Sequence, residues 1–401
     1  MRTGLDRLAT DSRLAPIVTE LRASRIGLLA HPASVDRRLV HVRRVLDAIG
    51  IDVALVFGPE HGYGGEAQDM VGVAHARDAF GTPIRSLYGE HYEDLSPRAE
   101  DVAAIDVLVV DLQDVGSRYY TFVWTAVLAM RACVRAGVRV LVLDRPNPIG
   151  GDLVHLEGRR PSHPYCSFVG LEPIPVRHGL TLGEIVAWRA SEEGVAAGLV
   201  RVLSVGGLDR GAHAPAWDRP FVMPSPNMPT YETALVYPGG CLIEGTNLSE
   251  GRGTTRPFEI VGAPWIDGVR LATEMRAVGC AGARVRPVTF LPTFQKHAGQ
   301  ICGGVQVHVT DPDRFRPMAS YLALVALARA QDPERFRFRV EPYEFRDDVP
   351  AFDLLTGGAE ARERIERGEA PARVVDAVAT VDSADRAAVS EAIEAARAFC
   401  L

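Results

Sequence analysis

Three short apolar runs each end in an acid. Residues 53–57 (VALVF) lead into Gly-Pro and then Glu60 and His61. Residues 105–110 (IDVLVV) lead into Asp111 and Asp114, and residues 138–143 (VRVLVL) into Asp144. If the runs are parallel strands of one sheet, their tips share an edge, and chain topology gathers carboxylates that lie far apart in number. Grouped carboxylates are the equipment of general acid–base chemistry. Taken singly, each acid has a plainer reading as a helix cap or a loop hydrogen-bond acceptor. Glu60 is the foremost candidate acid, because the stretch around it, FGPEHGYGGEAQDM (57–70), is a strand tip running into a glycine-rich loop that also carries Glu66.

Other polar groups follow these tips. Arg118, Tyr119 and Tyr120 come after the second and Asn147 after the third. Further on stand His178, Asn227 and the dense run 244–255, EGTNLSEGRGTT, with Glu244, Asn247 and Arg252. Carboxylates and amides suit sugar hydroxyls, aromatic rings suit the apolar faces of a sugar, and the arginine fork matches a carboxylate. The glycine-rich EGRGTT is also a shape that cradles phosphate, but it lacks the lysine of a P-loop. His61 and His178 beside Asp111, Asp114 and Asp144 make a conceivable metal set. No His-x-His or His-Glu-x-x-His spacing supports it, so hydrogen-bonded loop histidines are the better reading and no metal is expected. His297 and Cys302 are present, but Cys302 sits in a strand-like run and reads as a buried thiol.

The elements that must hold these residues alternate. Apolar runs at 25–30, 53–57, 105–110 and 138–143 are separated by helical patterns such as 38–50 and 122–136, each closed by glycine. Continuous apolar strands alternating with helices make an α/β, doubly wound parallel sheet covered on both faces. The segment 147–175 reads as a long loop. Thr181 with Glu184 three residues on forms a capping box that opens a helix over 181–190, and 200–205 is a further candidate strand. Four prolines in WDRPFVMPSPNMP (217–229) mark the boundary between a domain of residues 1–225 and one of residues 226–401. The second half reads as α+β, with strands at 233–243 and 303–309 and helices at 266–278, 314–330 and 384–399.

Composition narrows the function. The chain has 401 residues, 47% of them apolar and 24% charged, and a net charge of -7. A mildly acidic chain is not drawn to nucleic acid or to an anionic membrane. No apolar stretch approaches the ~20 residues of a membrane span. The N-terminal residues have no apolar signal core, so a cytoplasmic location is expected. The six scattered cysteines form no Cys-x-x-Cys pair and read as free, mostly buried thiols. HPASVD (31–36) follows the first strand in place of Gly-x-Gly-x-x-Gly, so NAD is not expected. No sequence feature sets an oligomeric state.

In chain order, the blocks GPEHGYGGEAQD, SLYG, DLQDVGSRYYTF, DRPNPIGG, RHGLTLGE, PSPNMP and EGTNLSEGRGTTRPFE resemble the exo-β-N-acetylmuramidases of the NamZ type, from about Gly4 to the C-terminus. The resemblance implies a Rossmann-like N-terminal domain, a smaller C-terminal domain and a cleft between them. It implies release of non-reducing terminal N-acetylmuramic acid from peptidoglycan fragments, with muramyl sugars as partners and no cofactor. Carried over by motif, Glu60 is the general acid and Tyr119 or Tyr120 a second active-site group, while Arg118, His178, Asn227, Glu244 and Arg252 shape the sugar site. Relatives often carry an export signal that this N-terminus lacks, which favours recycling inside the cell. As a general acid, Glu60 needs a proton held toward neutral pH, by burial or by a neighbour such as Asp111, Asp114 or Glu66. Arg118 or Arg252 would clamp the lactyl carboxylate. Retention, inversion and substrate assistance all stay open at this stage, as do a metal-dependent hydrolase built on Asp111, Asp114 and Asp144 and a non-catalytic muramyl-sugar-binding protein.

Overall fold

The computed structural model describes residues 1–68, 71, 76–196 and 198–401; Asp69 and Met70, the end of the glycine-rich loop, lie outside the described residues. Seven strands form one sheet: β1 (Ile26–Ala30), β2 (Val53–Gly58), β3 (Ala76–Arg77), β4 (Pro83–Ser86), β5 (Val107–Asp111), β6 (Arg139–Leu143) and β7 (Val200–Leu203). Their order is β3-β4-β2-β1-β5-β6-β7, and every pairing is parallel except that of β3 with β4. From β1 the chain builds outward to one side through β2, then returns to build the other side from β5. The strand order therefore reverses between β1 and β5, and ligand crevices of open α/β sheets form at such a point.

The apolar runs are continuous because both faces of the sheet are covered. Ile26, Leu28 and Ala30 of β1 pack in one core layer with Leu5, Leu8, Leu46 and Leu21 from the helices on that side. Leu29 turns the other way and joins a larger core with Phe122, Trp124 and Ile185. Each fully buried side chain of this kind contributes about 1.5–3 kcal/mol. The helix Leu182–Glu192 begins at Thr181 with the expected reciprocal bonds to Glu184.

The smaller, C-terminal domain holds an antiparallel sheet of β8 (Ile260–Ala263), β9 (Ala283–Phe290) and β10 (Cys302–Val309), in the order β8-β10-β9. The helix Gly268–Val278 packs on it, and the helix Pro317–Gln331 packs against that helix. The segment 233–243, expected as a strand, is instead the helix Tyr231–Gly240 followed by a 3-10 turn, Cys241–Gly245. Its Thr, Val and Tyr content imitates a strand. Nine of its ten residues are buried, so no polar stripe reveals the helical period, and the Thr230 hydroxyl caps it by accepting from the Thr233 amide. The last helix, Ser383–Ala396, returns to the first domain and packs against Leu182–Glu192. There the Leu401 amide donates to the Val202 carbonyl at 2.8 Å, alongside β7.

Candidate active site

Glu60 lies just past the tip of β2. Gly58 ends that strand because a Cβ there would stand 2.6 Å from the Tyr63 backbone nitrogen, so only glycine lets the loop fold back this tightly. His61 (φ 68°) and Gly62 (φ 81°) turn the chain through left-handed conformations directly after Glu60. A non-glycine residue held there is costly, and such costs collect at functional sites. His61 Nδ1 is 2.9 Å from the Ala67 carbonyl, which fixes the loop on itself.

The Glu60 side chain is 5% exposed and accepts a 2.6 Å hydrogen bond from the Thr121 hydroxyl. Thr121 is the N-cap residue of the helix Phe122–Arg135, which follows β5. The two residues join different strand tips on either side of β1 in the sheet. Between those tips stands His31, just past β1. Its Nε2 accepts from the Gln113 amide at 2.9 Å, so its Nδ1 donates to the Pro224 carbonyl at 3.2 Å. Burial pushes this imidazole down to about 3, so it stays neutral and ties the proline-rich segment to the sheet.

Glu60 opens onto a cleft lined from both domains. Tyr119, Tyr120, Tyr237 and Phe258 give it an aromatic wall, with Tyr120 and Tyr237 ring centroids 6.0 Å apart and Tyr237 and Phe258 4.8 Å apart, both edge to face. Burial raises the phenols of Tyr119, Tyr120 and Tyr237 well above their ordinary range, so they remain neutral hydroxyls. Opposite in kind is a charged group. Glu244 receives Arg252 Nη2 at 2.7 Å on one oxygen and the Tyr343 hydroxyl at 2.6 Å on the other. A third carboxylate, Glu344, accepts from the Tyr88 hydroxyl at 3.1 Å. Asn227 reaches the rim and donates to Gln68 at 2.7 Å.

Of the residues singled out from sequence, Glu60, His61, Tyr119, Tyr120, Asn227, Glu244 and Arg252 line this cleft. Asp111 does not; it forms a buried pair with Arg145 at 2.5 and 2.9 Å. Asp114 accepts from the Gly116 amide and faces His178 Nε2 at 3.4 Å. Asp144 receives the Thr181 hydroxyl and the Gly183 amide, each at 2.8 Å, and burial pushes it up to about 7. Asn147 bonds the Leu180 carbonyl and the Ile149 amide. Arg118 is fully buried and donates to the carbonyls of Arg159, Ile174 and Leu355, so its guanidinium is committed to backbone and not to a substrate carboxylate. Asn247 is half-buried and bonded to the backbone at Arg335 and Arg337, and Glu66 is exposed on the loop. Among the described residues, Asp111, Asp114 and Asp144 form no cluster of three or more potential ligands with the histidines. Cys302 is a free, buried thiol pushed up to about 11 by burial, and all six cysteines are free.

The structure adds Thr121, Ser225, Tyr237, Tyr343 and Glu344 to the cleft. Thr121 and Ser225 lie inside the blocks DLQDVGSRYYTF and PSPNMP and were within reach of a closer reading. Tyr343 and Glu344 had no such signal. Glu344 and Phe345 turn the chain at φ 46° and 64° without a glycine to announce it.

A doubly wound sheet, a second domain closing over its strand tips, and an acid-lined aromatic cleft between them define a two-domain α/β enzyme. The chain belongs to the exo-beta-N-acetylmuramidase NamZ family: the model of that family's N-terminal domain matches residues 26–232 and that of its C-terminal domain residues 235–384. It is 39% identical over 379 residues to the peptidoglycan beta-N-acetylmuramidase NamZ of Bacillus subtilis (strain 168), covering 94% of this chain and 87% of that protein. Two crystal structures of DUF1343 family proteins from Bacteroides fragilis share the fold. One has a TM-score of 0.82 at 27% identity, covering 99% of this chain and 98% of that one. The other has a TM-score of 0.72 at 26% identity, covering 100% and 98%.

Proposed function

We propose that this enzyme is an exo-β-N-acetylmuramidase that removes terminal N-acetylmuramic acid from the non-reducing end of peptidoglycan fragments, with Glu60 as the general acid. The observation that carries the reading is Glu60 itself: a buried carboxylate, held by Thr121, at the strand tip that faces an aromatic cleft. The family and the activity of the Bacillus subtilis relative point to the same substrate.

The roles divide by environment. Glu60 protonates the leaving oxygen. Glu344, a further carboxylate in the cleft, is the candidate for the opposite face of the sugar. Glu244 is compensated by Arg252 and oriented by Tyr343, which suits it to accepting sugar hydroxyls. Arg252 is the cationic group lining the cleft and the candidate for the lactyl carboxylate. Tyr119 and Tyr120 keep their protons and act by stacking and donation, not as nucleophiles.

The test is product analysis on a synthetic N-acetylmuramyl-glucosamine disaccharide, with and without EDTA. Free N-acetylmuramic acid in equal yield in both samples is expected. Glu60→Gln should lower kcat by about 10²–10⁴-fold with the thermal transition unchanged. Near-full activity of that variant would remove Glu60 from the role. Binding of the disaccharide without turnover by the wild type would make the protein a muramyl-sugar receptor.

A further inference from the structure

Away from the cleft, three side chains distant in sequence meet between the two domains. His155 ends the 3-10 turn Leu153–His155 in the loop after β6, and His213 precedes the turn Ala214–Ala216. Asp313 lies between β10 and the helix Pro317–Gln331. One ring nitrogen of each histidine and one carboxylate oxygen lie within 4.8 Å of one another. His213 Nε2 is 3.6 Å from Asp313 Oδ1. Two metal bonds of ~2.1 Å at a tetrahedral angle span about 3.4 Å, so this pair already has the spacing of two ligands on one ion. Asp313 is 73% exposed and free to make the small rotation that brings the third ligand into range.

A second observation points to a ligand. His155 Nδ1 and His213 Nε2 are both buried without a hydrogen-bond partner. Buried polar nitrogens are nearly always paired, so two orphans beside one carboxylate call for an explanation. The other nitrogen of His213, Nδ1, is 2.6 Å from the Tyr231 hydroxyl, which orients the ring as the outer partner of a metal-bound imidazole does. Arg177 and Arg316 stand near enough to oppose any cation electrostatically. That disfavours Mg²⁺ and Ca²⁺, which bind by charge, and leaves ions that bond strongly to imidazole.

We propose that His155, His213 and Asp313 form a structural site for a transition-metal dication of the Zn²⁺ class, clipping the loop after β6 to the loop that opens the helix Pro317–Gln331. The clip reinforces a contact already present two residues away, where the buried Glu157 carboxylate accepts from the Met318 and Ala319 amides of that helix at 3.1 and 2.7 Å. None of the three ligands lines the cleft, so the ion stabilises the domain arrangement and takes no part in the reaction.

The test uses full-length protein stripped with chelator and dialysed, then titrated with Zn²⁺ by calorimetry and with Co²⁺ by absorption. We expect one equivalent to bind, a thermal transition several degrees higher, and a cobalt spectrum without thiolate charge transfer. His155→Ala and His213→Ala should each weaken binding at least tenfold while muramidase activity is kept. Asp313→Asn, at an exposed position that does not threaten folding, should also weaken it. Three results would overturn the site: no saturable binding, one equivalent bound with unchanged affinity in both His213→Ala and Asp313→Asn, or a thiolate charge-transfer band, which would assign the metal to cysteine.

Discussion

The Thr121 hydroxyl donates a hydrogen bond to the Glu60 carboxylate at 2.6 Å, so the side chain just past the tip of β2 is positioned by the N-cap residue of a helix that follows β5. Thr121→Val keeps the shape and deletes the donor. In the role proposed for Glu60, the carboxylate then loses its fixed orientation toward the leaving oxygen. Turnover should fall by about 10–100-fold with KM little changed, and Thr121→Ser should recover most of it. Equal kinetics for wild type and Thr121→Val would show that the bond does not position Glu60.

Glu244 has one cationic and one neutral donor, and the two should be unequal. Arg252→Ala leaves a buried carboxylate without its main compensation and should cost about 3–5 kcal/mol of stability together with substrate binding. Tyr343→Phe removes one hydroxyl and should cost about 1–3 kcal/mol. Urea unfolding of both variants, with KM for the disaccharide, gives the comparison. A larger loss from Tyr343→Phe would reverse the assigned order.

Asp144 carries a pH signature. Burial raises it from an unfolded value near 4 to about 7, so the folded state holds a proton that the unfolded state has already lost. Its contribution is therefore fully present below about pH 4 and is lost as pH rises to about 7. Asp144→Asn cannot show this loss. The stability of the variant relative to wild type should grow between pH 4 and 7, by on the order of 1–4 kcal/mol, and level off above. Urea midpoints at pH 5, 6, 7 and 8 measure it, and parallel curves for the two proteins would sink it.

Glu157 accepts two amide protons at the start of the helix Pro317–Gln331, a cap supplied from the other domain. Glu157→Ala should leave both amides unpaired in a buried site and lower stability by about 2–4 kcal/mol, seen as a lower thermal midpoint. Glu157→Gln keeps an acceptor and should recover part of that. An unchanged midpoint in Glu157→Ala would mean that the helix start is satisfied otherwise.

The parallel sheet was legible because β1, β2, β5 and β6 are unbroken apolar runs bounded by glycine-closed helices. The helix at Tyr231–Gly240 was not, because burial on all sides erases the periodic stripe that distinguishes it from a strand. At the site, Glu60 could be read from its position at a strand tip. The same rule also selected Asp111 and Asp144, which share the sheet edge but turn to Arg145 and to the helix start at Thr181. Topology places a backbone at an edge; the local partner decides where the side chain points. Glu344 was invisible for the opposite reason, since it arrives from a loop nearly 300 residues further on, with no strand tip behind it.

The final helix, Ser383–Ala396, crosses back to lie on the first domain, and the terminal Leu401 is bonded beside β7. The outermost strand on that flank is thereby shielded by Cys400 and Leu401. Severing the chain in its proline-rich stretch would strip that cover from the large sheet and bare a hydrogen-bonding rim that invites self-association. The halves are thus separable on paper but laced together in assembly: an isolated N-terminal fragment should precipitate, and co-expression with the missing half should restore it to solution.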